Sequence, residues 1–248
     1  MSITGAIWYQ GESYVGSDNY DCRIQAMISD WRASFATPFY FGFVQISTWI
    51  VASAADGVLI AIERQQQLAA LNQPRVGMAT AVDLGDALSP YNVIHPRAKQ
   101  PVGTRLLMSA LTIVYGRTGI AWQAPTVATT TGSANGNTLS VSVSFVAGTA
   151  PGGLMSVPGV HCPTELGVPV SNCDWFAIGA SDGNWYNATT TIAGPGSATL
   201  VLTATVPTPG LKAVASRFGW NAWPVVTVAR SDGLPVLPWN TNVTSWRE

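Results

Sequence analysis

The periodicity of this chain changes once, at Gln123-Ala124-Pro125, and that change limits what it can fold into. Before it, short apolar runs alternate with stretches of helical period. Residues 6–9 read as a short buried strand running into a polar turn. Residues 19–35 read as a helix, because Tyr20, Ile24, Met27, Ile28, Trp31 and Phe35 recur on one face. Asn19 or Asp18 would cap its start. Residues 39–46 form a largely apolar run ending in a polar turn, as in a buried parallel strand. Residues 57–71 read as helix, 76–82 as strand and 96–115 as mainly helix. Pro96 suits a first turn. Pro101 does not suit a helix interior, so regular helix is expected only from there. Strands alternating with helices predict a mainly parallel sheet.

After residue 123 the runs shorten and glycine, proline, asparagine and aspartate separate them. Residues 126–130, 138–145, 175–180, 189–192, 198–206 and 213–218 read as strands, and 131–137 as a turn. Ser140, Ser142 and Ser144 alternate with Val141, Val143 and Phe145, so one face of that strand is wet. The expected organisation is an α/β domain over 1–122 and a β-sandwich-like antiparallel domain over 123–248. Cys162 and Cys173 flank one loop and are placed to pair; Cys22, inside a predicted helix, is expected to be a free, buried thiol.

Hydrophobic residues make up 47% of the 248 and charged residues only 10%, with a net charge of −1. The chain can bury a core, and it lacks the basic clusters that nucleic acid or an anionic membrane requires. No apolar run reaches the roughly 18 residues of a membrane-spanning helix, and no signal-peptide pattern is read at the start. Asn187-Ala188-Thr189 and Asn242-Val243-Thr244 fit glycosylation acceptors, which favours a secreted or lumenal setting.

Three blocks carry a resemblance. The first is Gly5-Ala6-Ile7-Trp8-Tyr9-Gln10-Gly11-Glu12-Ser13. The second runs from Met78-Ala79-Thr80-Ala81-Val82-Asp83-Leu84-Gly85-Asp86 through Ser89-Pro90-Tyr91 to Ile94-His95-Pro96-Arg97-Ala98-Lys99-Gln100. The third is Arg217-Phe218-Gly219-Trp220-Asn221-Ala222-Trp223-Pro224 with Pro238-Trp239. Their order resembles that of the sialate O-acetylesterase family, serine esterases of the SGNH-hydrolase class. The resemblance implies an SGNH/flavodoxin-like α/β sheet followed by a C-terminal antiparallel β domain. It implies hydrolysis of short acyl esters, O-acetyl groups on a sugar such as sialic acid above all, without a cofactor. That family's serine lies upstream, in a Gly-Gln-Ser-Asn-Met-like turn with no counterpart here. Either the chain is a C-terminal fragment or a shortened esterase has recruited another serine. An α/β sheet lacking its first strand has an unpaired edge, which a partner such as a second copy could fill. The alternatives to a sugar esterase are a promiscuous non-sugar esterase and an inactive carbohydrate-binding or structural module.

Gly11-Glu12-Ser13-Tyr14-Val15-Gly16 is similar to the Gly-Asp-Ser-x-x-Gly turn of other SGNH hydrolases, which makes Ser13 the candidate nucleophile. Ser89 is the other contender, and Ser2 is terminal. By family analogy Ser13 is instead a structural hydroxyl. Gln10 and the backbone N–H groups near Gly11 would hold a developing oxyanion, and Glu12 would orient the base, bind substrate or accept hydrogen bonds. Of two histidines, His95, at the entrance to a helix, is the candidate base; His161 sits in a Pro/Gly-rich loop and reads as structural. Many SGNH hydrolases place an aspartate three residues before the histidine, where this chain has Asn92. Asp83 and Asp86, at the end of a predicted strand, are the candidate acids, or else they cap turns. Arg64 with Gln65, Gln66 and Gln67 reads as a solvated helix face, although the resemblance implies that part of this row turns to the sheet. Dispersed carboxylates and two histidines give no metal-ligand spacing.

Overall fold

The computed structural model describes residues 3–247. The fold is mixed α/β, with a parallel sheet in its first part and sheets elsewhere that are mainly antiparallel and include one short parallel pair. It divides into two compact units: 1–123 with 163–172 and 221–223, and the remainder, 124–162, 173–220 and 224–248.

The first unit holds β1 (Gly5–Trp8), α1 (Tyr20–Ser34), β2 (Tyr40–Gln45), α2 (Ala54–Gln67), β3 (Val76–Thr80) and α3 (Gln100–Ile113). β1, β2 and β3 pair in parallel and in that order. Every residue of β2 is buried, as its run of apolar and aromatic residues requires of a central strand. Its side chains alternate between faces. Phe41 meets the Trp31 ring of α1, while Val44 clusters with Val102 and Leu106 of α3 and the Tyr40 hydroxyl hydrogen-bonds Ser109 there. β1 is the edge strand, and among the described residues no strand pairs with its outer side; Ile7 on it is 73% exposed.

Three local expectations fail here. Residues 6–9 do not form a buried strand, because β1 lies at the sheet edge and none of these residues is fully buried. Asn19 takes a left-handed conformation (φ 73) and makes no side-chain cap; Asp21 instead accepts from the Cys22 amide. Cys22 is exposed rather than buried. The buried stripe of α1 is Tyr20, Ile24 and Ile28, and position 22 lies on the opposite side of that helix. The excursions 163–172 and 221–223 are pinned to the first unit by asparagines. Asn172 pairs with both the N–H and the C=O of Val51. Asn221 donates to Ser171 O and accepts from Ala222 N.

The second unit contains β4 (Val127–Asn135), β5 (Thr138–Phe145), β6 (Leu154–Ser156), β7 (Cys173–Asp174), β8 (Phe176–Ala180), β9 (Trp185–Asn187), β10 (Thr189–Ile192), β11 (Thr199–Thr205) and β12 (Ala213–Phe218). After β13 (Trp223–Pro224) come β14 (Val228–Arg230), β15 (Trp239–Asn242) and β16 (Ser245–Trp246). A five-stranded sheet β10-β11-β5-β4-β16 accompanies a four-stranded sheet β15-β12-β8-β9. On β5 the aliphatic and aromatic residues are buried and the serines half-exposed, as their alternation demands. Phe145, Phe176, Phe218 and Trp239 pack ring against ring in the core. Cys162 and Cys173 form a disulfide. The stretch 131–137 is not a turn: β4 continues to Asn135, and only Gly136 and Asn137 connect it to β5. Its Thr/Ser/Gly/Asn composition suggests a loop, but pairing with β5 satisfies its backbone.

Gly57 in α2 marks a close approach. A β-carbon there would lie 1.7 Å from Asn221 Oδ1, which is itself committed to the Ala222 amide. Gly57→Ala should therefore destabilise by about 1–3 kcal/mol despite alanine's better helix propensity. A urea midpoint at or above that of the parent would contradict this packing.

Candidate active site

The candidate residues gather at the carboxyl ends of β1 and β3 and on the loop leading to α3, where open α/β sheets place ligands. β1 ends at Trp8, and the chain turns through Gln10 and Gly11 into a single 3-10 turn, Glu12–Tyr14. Gly11 has φ 149, and a β-carbon on it would meet Gln67 Nε2 at 3.0 Å, Glu63 Oε1 at 3.1 Å and Ile46 Cγ2 at 3.2 Å. Glycine is required both for the bend and for the close approach of α2.

Gln10 is held at both ends of its residue. Its carbonyl accepts from Gln67 Nε2 at 3.0 Å and from the Tyr20 hydroxyl at 3.2 Å; the same hydroxyl donates to its side-chain Oε1 at 3.0 Å. With Oε1 engaged, both protons of Nε2 are left for a ligand. The side chain lines a cavity of about 480 Å³ with Trp8, Tyr14, Tyr20, Arg23, Ile24 and Met27. Burial pushes the Tyr20 hydroxyl up to about 12, so it stays a neutral donor.

His95 lies in a separate, more open depression with Tyr91, Pro96, Arg97 and Lys99. Its Nδ1 is 2.7 Å from the Tyr91 carbonyl oxygen. A carbonyl only accepts, so Nδ1 carries a proton, and in the neutral ring Nε2 holds the lone pair that base chemistry needs. The loop around it is tightly tied. His95 N donates to Asn92 O at 2.9 Å, with Asn92 in a left-handed conformation (φ 79), and Ser89 Oγ donates to His95 O at 2.6 Å. Asn92 thus shapes the turn through its backbone.

Both candidate acids are engaged elsewhere. Asp83 forms two 2.7 Å bonds to the Arg105 guanidinium, which also donates to Thr80 O. Asp86 holds Arg97 at 2.6 and 2.9 Å and accepts from the Arg97 amide. Hydrogen bonding to Arg97 brings the Asp86 carboxyl down to about 2. The His95 ring is therefore oriented by a backbone carbonyl, and Asp86 steadies the loop two residues beyond it. Among the described residues no hydrogen bond joins Ser13 to His95. Ser13 is exposed on the 3-10 turn, and its hydroxyl makes no hydrogen bond among the described residues. Ser89 is committed to the loop, and Ser2 lies outside the described residues. Lys99 Nζ sits 4.6 Å over the Tyr9 ring, tying the end of β1 to the segment after His95.

The helix row expected to be solvated is the reverse. Glu63, Arg64 and Gln67 are each 1% exposed. Arg64 donates to four carbonyls: Ile46 (3.1 Å), Ser47 (2.6 Å), Asn221 (2.7 Å) and Ala222 (2.9 Å). Gln67 donates to Gln10 O and Val44 O and accepts from Ile46 N. Ile60, Glu63, Arg64 and Gln67 follow i, i+3, i+4, i+7, in phase with the buried Gly57 and Ala61. That phase was the signal available in the sequence; the polar character of the residues hid it. Only Gln65 of the row is exposed and Gln66 half-buried.

Arg64→Met removes one buried cation and takes a donor from four carbonyls, of which, among the described residues, only Ala222 O keeps another, the Trp49 amide. It should cost about 3–5 kcal/mol, with Arg64→Lys intermediate because an ammonium cannot span the fork; urea unfolding of both variants checks the order. For Asp86 the folded-state carboxyl is depressed, so its hold on Arg97 is complete above pH about 4 and is lost as pH falls through about 2. Hydrogen exchange over residues 86–97 should rise across that interval, and Asp86→Asn should show the faster exchange already at pH 6.

No protein-family model matches the sequence. Among curated proteins it is similar to the sialate O-acetylesterases of Mus musculus (35% identical over 140 residues, 50% of this chain and 26% of that protein) and Homo sapiens (36% over 141 residues, 50% and 27%). The aligned part is thus about a quarter of the length of those relatives. Its fold is similar to the crystal structure of a carbohydrate acetylesterase from Xanthomonas citri, with a TM-score of 0.72 and 26% identity over 96% of this chain and 50% of that one. The chain is thus similar to sialate O-acetylesterases over half of its sequence, and to a carbohydrate acetylesterase in fold over nearly all of it.

Proposed function

We propose that this chain is the working part of a serine ester hydrolase of SGNH arrangement that removes short acyl groups, O-acetyl groups of sugars above all. The observation that carries the proposal is His95, with Nδ1 fixed by the Tyr91 carbonyl and Nε2 left as base. The sugar substrate class is suggested by the names of the relatives and the solved neighbour.

In the proposed reaction Ser13 Oγ attacks the acyl carbon as His95 Nε2 takes its proton. Gln10 Nε2 donates to the oxyanion that forms. The C–O bond to the sugar breaks, and His95 returns the proton to the departing hydroxyl. Water, deprotonated by His95, then releases the acid and regenerates Ser13. A backbone carbonyl orients the imidazolium without neutralising its charge, so the base works as part of a dyad.

A second reading is favoured by one observation: Ser13 and His95 share no hydrogen bond. On that reading the chain binds an acetylated sugar without cleaving it. Treatment with a fluorophosphonate followed by peptide mapping separates the two. The expected result is a single adduct on Ser13, lost in Ser13→Ala, with His95→Ala lowering kcat/KM on p-nitrophenyl acetate by about 10²–10⁴-fold. A folded, unlabelled protein that still binds acetylated sugar would remove Ser13 from the role and establish the second reading.

A further inference from the structure

Beneath the Gln10–Glu12 turn lies a carboxyl group that the reaction above does not use. Glu63 is 1% exposed on α2, one helical turn before Gln67. Its Oε1 is buried without a hydrogen-bond partner, beside Gly11, where even a β-carbon would be 3.1 Å away. Gln67 on the same helix face holds the Gln10 carbonyl, so α2 supports this turn at two successive points. Resting on the ester-hydrolase reading, we propose that Glu63 is a positioning residue for the oxyanion donor: as a neutral acid it packs under Gly11, and its ionisation displaces the turn and withdraws Gln10 from the acyl oxygen.

Among the described residues no cation pairs with Glu63. Glu12 bears on it from the turn above, and Tyr20 faces it from α1. Tyr9, at the end of β1, is a raised, neutral phenol near Glu12 and Arg64. Arg64 is the next residue on α2, but its guanidinium is committed to four backbone carbonyls and makes no ion pair with Glu63. Lys99 stands over the Tyr9 ring, with Glu12 as the acidic group that bears on it. Burial first, and the charge of Glu12 second, push the Glu63 carboxyl up to about 7. The group therefore changes charge within the range in which a histidine base works.

The experiment follows the Gly11 and Glu12 amide shifts of the ¹⁵N-labelled protein from pH 5 to 9, alongside kcat on p-nitrophenyl acetate. Both amides should titrate with a midpoint near 7, and kcat should fall about tenfold per pH unit above it. Glu63→Gln should keep the low-pH shifts throughout and lose the alkaline fall. Flat amide shifts in the parent protein, or an unchanged titration in Glu63→Gln, would overturn the proposal. If Glu63→Gln does not fold, Glu12→Gln decides instead: the midpoint drops if Glu63 titrates, and the titration disappears if Glu12 does. A titrating turn in a protein without esterase activity at any pH would keep the Glu63 assignment and remove the ester-hydrolase reading. Activity above a flat turn would do the opposite.

Discussion

The Arg64 guanidinium is the interaction on which the first unit depends. Its five donors form a rigid fork, and here the fork meets four carbonyl oxygens rather than a carboxylate. Two of those carbonyls follow β2 and two belong to the 221–223 excursion. A single buried cation therefore fixes the end of the central strand and a segment from late in the sequence. Burial lowers its pKa to about 9, so it stays protonated at neutral pH without an anionic partner. The partial negative charges of the carbonyls replace the counter-ion, and this is a short-range, directional arrangement that tolerates little displacement.

The site above that framework is built on the same economy of charge. Asp83 and Asp86 face arginines, so each carboxylate is spent on holding a segment in place. His95 is oriented by a dipole, and Gln10 by a phenol and by the amide of Gln67. Among the atoms left uncommitted are the Nε2 atoms of His95 and Gln10 and the hydroxyl of Ser13. Each is the atom that acyl transfer would use. The Glu63 oxygen stands apart from this pattern, buried under the turn and, among the described residues, without a hydrogen-bond partner.

Much of the secondary structure was legible because it rests on local periodicity. The alternation of Ser140, Ser142 and Ser144 with apolar residues defined β5, and the apolar run at 39–46 defined a buried strand, seen as Tyr40–Gln45. Pro101 marked the start of α3 to within a residue. Failures came where a partner elsewhere in the chain overrode local preference. Cys22 fell on the wrong side of α1, the Thr/Ser-rich stretch after Thr130 was drawn into β4 by pairing, and Asn19 gave up its cap to a left-handed backbone.

The sequence by itself determined the order of elements, the change from parallel to antiparallel pairing and the residue types with chemistry to offer. Those follow from period, composition and motif, which are properties of neighbours along the chain. Only the tertiary structure decided which of those residues were free. Asp83 and Asp86 were equal candidates until Arg105 and Arg97 claimed them, and Tyr91 became part of the site only through a carbonyl, which no side-chain pattern records. Arg64, Glu63 and Gln67 look like solvent-facing residues by type. They are buried because α2 packs against carbonyls from β2 and from residues 221 and 222, some 157 positions away for Asn221. Long-range hydrogen bonding in a space closed to water decides such positions, and its partners are set by the fold.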